Sequence, residues 1–400
     1  MTHAGDAVAQ LVRDEGTRVL ATLVRVTGSV DLAQDAVQDA VVRALETWPR
    51  DGVPGNPRGW LLVAAKRRAV DVVRREAKRA GKETDAMPFV DPFPDPEIFA
   101  DDLLRLVFTC CHPALSLDAQ VALALRTLGG LSTAEVARGL LVPEATMAKR
   151  LTRAKQKIAQ ARIPYRVPAA EDLPARLTGV ASTVYLIFNE GYASSDVVRV
   201  PLITEAVRLA RLLAELMPDE PTALGLLALL LLQDARRSTR ADAEGLPVLL
   251  ADQDRTRWDD ELIKEGIALV GVALRRTPTI PNPYVVQAAI AACHDLASTY
   301  AETNWDAVIS WYDVLLTIQD TPVVRLNRAA AIAERDGAAA ALALVDAIEG
   351  LTDYPWWHAT RAELLHRLDS PAALTAYDHA VATGLTAAHA EHLRRRLSPQ

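Results

Sequence analysis

Apolar residues along this chain recur three and four positions apart and almost never alternate with polar ones. That period belongs to helices with one buried face, and an Ala- and Leu-rich composition favours the same state, so the pattern predicts an all-α protein. In a first block, residues 6–82, Val8, Leu11 and Val12 and then Glu15 to Val26 predict one or two helices. Asp31 is placed to accept from the free first-turn N–H groups of a helix over Leu32 to Thr47. Pro49 to Pro57, with three prolines and two glycines, reads as a loop, and Pro57 suits the first position of a helix over Arg58 to Arg79.

A second block, residues 101–163, has sharper punctuation. Ser116 and Asp118 open a helix to Leu128, Gly129 and Gly130 stop it, and Ser132 caps a short helix from Thr133 to Leu140. A turn carrying Pro143 precedes a longer helix from Glu144 to Ala161. Short helix, tight turn and longer basic helix is the helix-turn-helix arrangement. Between the blocks, residues 83–100 carry Pro88, Pro92, Pro94 and Pro96 among acids and read as a flexible tether. Residues 164–174 read as a second connector, and residues 175–397 as helical hairpins. Within the latter, Pro322 to Ala330 aligns with Pro355 to Glu363, an offset of about 33 residues, near the 34 of tetratricopeptide repeats. Pro283 to Tyr312 reads as an earlier, longer copy. Such repeats stack around a shared core and leave a concave surface.

A chain of 400 residues fits two to four domains. No stretch of about twenty residues lacks charge, and the longest apolar block, Ala223 to Leu232, reads as a buried helix. Met1 to Gln10 does not resemble a secretory signal, and three cysteines cannot form a disulfide framework, so the expected compartment is the cytoplasm. The net charge of −7 is unevenly spread. Bases dominate from Arg58 to Lys82, acids from Glu83 to Asp102, and bases again from Lys149 to Arg162. Two basic clusters in an acidic protein point to nucleic acid.

Candidate chemistry follows from those clusters. In the helix-turn-helix, Val136, Ala137, Leu140 and Val142 pack the first helix and turn, while Met147 and Leu151 pack the second. That leaves Glu144, Thr146, Lys149, Arg150 and Arg153 toward a DNA groove, where Arg and Lys can reach guanine or phosphate and Glu can accept from cytosine. Asp35, Gln38 and Asp39 share one side of their helix, as a polar docking surface would, or as ordinary helix solvation would. Trp60, flanked by Leu61 and Val63, reads as a core anchor. Cys110, Cys111 and His112 lack a second ligand pair at zinc-like spacing, and adjacent cysteines on a helix diverge by about 100°, so no metal or other cofactor is expected.

The stretches Asp31 to Trp48 and Asn56 to Arg75 resemble domain 2 of bacterial RNA polymerase sigma factors of the extracytoplasmic-function (ECF) type. The helix-turn-helix resembles their domain 4. The resemblance implies a non-enzymatic protein whose partners are core RNA polymerase, at the β′ clamp helices and β flap, and promoter DNA. It implies that Asp35, Gln38 and Asp39 grip the clamp helices. Arg58, Lys66, Arg67, Arg74 and Arg75 would face the −10 element, with the loop from Trp48 to Arg58 capturing a flipped base. Glu144, Thr146, Lys149, Arg150 and Arg153 would read the −35 element. Residues Leu186 to Tyr192, Pro218 to Leu232, Asp252 to Asp259 and Val323 to Ala329 resemble the tetratricopeptide-like extension of one ECF subgroup, which implies a built-in regulator. There Asn189, Glu190, Tyr192, Asp252, Asp254, Arg255 and Trp258 are either an intramolecular contact to the sigma domains or helix caps and a buried tryptophan. Two other readings stay open: a helix-turn-helix regulator that recruits polymerase without opening DNA, and a repeat scaffold with incidental basic blocks.

Overall fold

The computed structural model describes residues 2–80, 96–140, 142–161, 163, 165–169, 171–192, 200–242, 244, 246–277 and 279–397. Among them the regular structure is helical, with a single isolated bridge between Ala241 and Pro247. The chain divides into two compact units, Met1–Ile187 and Phe188–Gln400.

The first unit opens with three helices packed on one another: α1 (Thr2–Thr27), α2 (Val30–Asp51) and α3 (Pro57–Ala80). Small residues at helical spacing on α2, Ala33, Ala36, Ala40 and Ala44, let its neighbours approach closely, and Trp48 closes the row. The cap of α2 is Ser29, whose hydroxyl accepts from the Leu32 N–H, and not Asp31, which lies in the first turn where the helix dipole favours an acid. The loop expected over Pro49 to Pro57 is shorter. Pro49 forfeits one hydrogen bond in the last turn, and α2 ends at Gly52, whose φ of 82° reverses the chain.

Then come α4 (Pro96–Cys110), α5 (Leu117–Thr127), α6 (Thr133–Gly139), α7 (Glu144–Gln160) and α8 (Leu173–Tyr192). Helix α4 starts within the segment read as a tether, whose residues 83–95 lie outside the described ones. Ser132 and Glu135 form a reciprocal capping box on α6. The early and later helices of this unit are joined by specific polar contacts. Asp102, its side chain 1 % exposed, pairs with Arg25 at 2.8 Å. The Thr17 hydroxyl donates to the Leu128 carbonyl at 3.0 Å, and Lys155 pairs with Asp31 at 2.6 Å.

The connector expected at 164–174 is not a boundary. The Tyr165 hydroxyl lies 2.8 Å from the carbonyls of both Ala21 and Asp102 and can donate to either. Arg176 donates to the Phe108 carbonyl at 2.6 Å and Thr183 to Gln120 at 3.2 Å. Buried polar groups need such partners, and these ones bind the start of α8 to the first unit.

The second unit holds α9 (Val200–Leu216), α10 (Pro221–Ala235), α11 (Asp260–Arg276), α12 (Pro283–Asp295), α13 (Trp305–Ile318), α14 (Pro322–Asp336), α15 (Ala338–Asp346), α16 (Pro355–Arg367), α17 (Ala372–Ala382) and α18 (Ala387–Leu397). Helix α10 is apolar all round because α9, α11 and α12 cover it. From α12 onward each helix packs on the next. The pairs α14–α15 and α16–α17 are the two copies of the repeat seen in the sequence, and α12, α14 and α16 each begin on proline, which suits the first helical position. Their buried faces form successive apolar clusters.

Candidate nucleic-acid interface

Helix α7 is held from one side. Met147, Leu151 and Ala154 are buried against α5 and α6, which turns Glu144, Thr146, Lys149 and Arg153 outward, all exposed. Arg150 is half-buried and pairs with Asp118 of α5 at 3.5 Å. Thr146, Lys149 and Arg153 thus share an open face, Glu144 is exposed at the start of the helix, and Arg150 stands at the edge of the face with an acidic partner. Lys155, one turn further on, points inward to Asp31 and is not part of that face.

On α3 the expected residues separate. Arg67 is exposed, Lys66 is half-buried, and Arg58 reaches back to Glu15 of α1 at 3.7 Å. The side chains of Arg74 and Arg75 lie outside the described residues. Arg67 lines a cleft of about 360 Å³ with Arg43, Asn56, Gly59, Trp60, Val63 and Ala64. Trp60 is not the core anchor expected: it is half-buried in this wall and meets Trp48 edge-on at 5.4 Å, while Trp48 is the buried ring. Asn56 accepts from the Gly59 N–H at 3.0 Å, fixing the entry to α3 beside the cleft. Sequence reading passed over Arg43 and Asn56, although Asn before Pro carried a helix-start signal for the latter.

On α2, Asp35, Gln38 and Asp39 are exposed on one face, and Asp39 pairs with Arg68 of α3. Val42 and Leu45, both nearly half exposed, continue the same face. The surface therefore combines acids with apolar side chains, as protein-docking faces do.

The residues singled out in the extension do local work. The Asp254 carboxylate accepts from the Thr256 N–H, capping a single 3₁₀ turn. Trp258 is buried, donates to the Thr239 hydroxyl at 2.9 Å, and lies under Arg255 and Arg236. Arg255 donates to the carbonyls of His294 and Ala297. Tyr192 donates to the Gln233 carbonyl at 2.7 Å and stacks on Phe188. Asp252 is exposed and pairs with Arg396 at 3.5 Å, and Asn189 and Glu190 are half-buried. Asp254 is thus a cap and Trp258 a buried tryptophan, while Tyr192, Asp252 and Arg255 make local contacts within the second unit.

Beside Arg255, the half-buried His294 and the buried Asp295 have opposed titrations. Burial, reinforced by Arg236 and Arg255, holds His294 down to about 4. Burial pushes Asp295 up to about 6 against the pull of the same arginines. Folding favours the neutral form of each. The His294 contribution is complete above its usual 6.5 and is lost as pH falls through 4. The Asp295 contribution is complete below its usual 3.8 and is lost as pH rises through 6. Between those limits they oppose each other. The variant His294→Gln removes one, so its stability relative to the parent will decline as pH rises from 4 to 6.5. Urea midpoints measured across this range check it, and parallel profiles would refute it.

Burial also pushes the Cys111 thiol up to about 12, and Cys110 is raised by burial and by Cys111, so neither supplies a thiolate near neutral pH. Among the described residues no group of His, Cys, Asp and Glu could hold a metal ion. No described helix is long and apolar enough to cross a membrane.

Comparison with known proteins accords with this geometry. The family described as Sigma-70 region 2 matches residues 11–79, and Sigma-70, region 4 matches residues 105–158. A family of unknown function, DUF6596, matches residues 176–274. An uncharacterised protein of Rhizobium meliloti (strain 1021) is 41 % identical over 395 residues, 95 % of this chain and 92 % of that protein. The ECF RNA polymerase sigma factor SigK of Mycobacterium ulcerans (strain Agy99) is 30 % identical over 157 residues, 36 % of this chain and 80 % of that protein. SigK of Mycobacterium tuberculosis (strain ATCC 25177 / H37Ra) is 29 % identical over 160 residues, 37 % of this chain and 82 % of that protein. The region 2 match covers the bundle with the basic cleft and the region 4 match covers the helix-turn-helix, and on these grounds the chain belongs to the ECF RNA polymerase sigma factors.

Proposed function

We propose that this sigma factor binds core RNA polymerase through α2, holds unpaired −10 bases beside α3, and reads the −35 duplex with α7. The observation that carries this reading is the outward face of α7, with Lys149 and Arg153 exposed and Met147 and Leu151 buried behind them. Arg67, Arg43 and Trp60 around one cleft suit an extruded base, since single strands are held by cations and stacking rings. Asp35 and Gln38, with Val42 and Leu45, form the surface offered to the β′ clamp helices. Promoter opening needs no nucleophile in the sigma subunit: binding energy for the unpaired strand offsets the cost of unpairing.

The second unit, in this reading, is a tetratricopeptide-like modulator acting in place of a separate anti-sigma partner. Run-off transcription with core polymerase and a cognate promoter is the test. Initiation supports a sigma factor; duplex binding without engagement of polymerase supports the alternative, a helix-turn-helix regulator. A truncation belongs after Ile187, because a cut near Pro164 also strips Tyr165 and Arg176 from the first unit. Removal of residues 188–400 will change initiation from that promoter. Unchanged initiation would sink the modulatory role.

A further inference from the structure

The first helices of the two repeats, α14 and α16, line a cleft of about 510 Å³ in the second unit. That is within the roughly 300–1,000 Å³ range of small-molecule sites. Helices α14, α16 and α18 form one wall, and Tyr192, Arg236, Arg240 and residues 247–253 form the other. The lining is mainly apolar, with Leu249 and Leu385 in it and the indole of Trp356 40 % exposed at it.

Four arginines reach this cleft, and three are already neutralised. Arg236 faces Asp295 at 3.5 Å, Arg367 pairs with Glu334 at 2.6 Å, and Arg396 pairs with Glu363 at 2.7 Å. Arg240 pairs with no carboxylate among the described residues; its guanidinium lies 3.8 Å from the centroid of the Tyr192 ring. That ring is held in place by the hydrogen bond from its hydroxyl to Gln233. Across the cleft, Nε2 of His392 is buried without a hydrogen-bond partner among the described residues. Burial and the neighbouring Arg396 keep this imidazole neutral, so it can donate or accept one hydrogen bond.

We propose that this cleft binds a small amphipathic monocarboxylate, its anionic group on Arg240 and its apolar body along Leu249, Trp356 and Leu385. One uncompensated cation calls for one negative charge. A polyphosphate would need several, and a cationic ligand would meet a surplus of arginine. The apolar lining calls for an alkyl or aromatic body in place of a sugar. The site makes the second unit a ligand-binding module independently of what that unit does to initiation.

The test is calorimetric titration of the full-length protein with decanoate and with 1-naphthylacetate, using decanol and decyltrimethylammonium as charge controls. The expected result is saturable binding of at least one carboxylate. Decanol should bind about tenfold more weakly or worse, the loss that goes with a missing charge-assisted hydrogen bond, and the ammonium should not bind. Arg240→Gln should weaken carboxylate binding by a similar factor while leaving the ligand-free melting temperature in place, and Trp356→Ala should weaken both carboxylate and alcohol. Failure of both carboxylates to bind would overturn the proposal. So would equal binding of all the amphiphiles, or unchanged affinity in a folded Arg240→Gln protein.

Discussion

Reversing charge at both Lys149 and Arg153 will abolish promoter-directed initiation while leaving the fold intact. Both side chains are exposed on α7, and neither has a carboxylate partner among the described residues. Each groove or phosphate contact is worth about 1–3 kcal/mol, so losing two and adding repulsion lowers duplex affinity on the order of 100-fold or more. The salt dependence should report the same loss: the slope of log affinity against log salt shrinks by about 0.9 for each phosphate contact removed. Binding of core polymerase in the absence of DNA should be unaffected, because that face belongs to α2 in the proposed reading. The contrast is Leu151→Ala on the buried side of the same helix, which costs about 2–5 kcal/mol of stability through a cavity. Electrophoretic or anisotropy titrations at two salt concentrations, with a melting curve for each variant, check the prediction. Wild-type affinity in the Lys149→Glu, Arg153→Glu double variant would remove α7 from the DNA interface.

Gly225→Val will unfold the second unit near physiological temperature. A Cβ at Gly225 would sit 2.5 Å from the Val285 Cγ2 atom, 2.8 Å from its backbone nitrogen and 2.9 Å from its Cα. Two of those three atoms are backbone, so no rotamer relieves the clash and α10 must move off α12. Overpacking of close-packed cores costs about 1–3 kcal/mol and more where backbone is involved, a large part of the roughly 5–15 kcal/mol that holds a domain together. Gly271→Ala is the control. Its Cβ would meet only the Arg275 guanidinium at 3.3 Å, the far end of a flexible side chain, and alanine gains about 1 kcal/mol of helix propensity over glycine. Hydrogen exchange should show protection lost from α9 to α18 in Gly225→Val and unchanged in Gly271→Ala. A Gly225→Val protein that melts with the parent would show that α10 and α12 tolerate separation.

Several features were legible because their cause is local. The Ser132 cap acts on the helix that follows it directly, and the Met147 and Leu151 spacing faces one side of a helix whatever surrounds it. The proline starts of α14 and α16 carry the repeat on their own. Other features were not legible. Asp31 reads as the cap of α2 from the sequence, and only the extended backbone of Ser29, with its hydroxyl on the Leu32 N–H, places the cap two residues earlier. Pro49 looked like a breaker, yet one turn from the end of α2 it costs a single hydrogen bond. The connector at 164–174 looked like a boundary, because the partners of Tyr165 are more than sixty residues away.

The sequence by itself determined an all-helical chain, a helix-turn-helix with a basic outer face, and a repeat near the end. Each depends on apolar period, caps and charge within a few turns of helix, where covalent spacing dictates geometry. The tertiary structure alone decided which basic residues remain available. It tied Arg58 to Glu15, Arg68 to Asp39 and Lys155 to Asp31, and left Arg67 beside a cleft. It also brought Tyr192, Arg240, Trp356 and His392 to one cavity from across some 200 positions of sequence. Ion pairs and cavities depend on distances of a few ångströms between segments far apart in the chain, and only packing sets those distances.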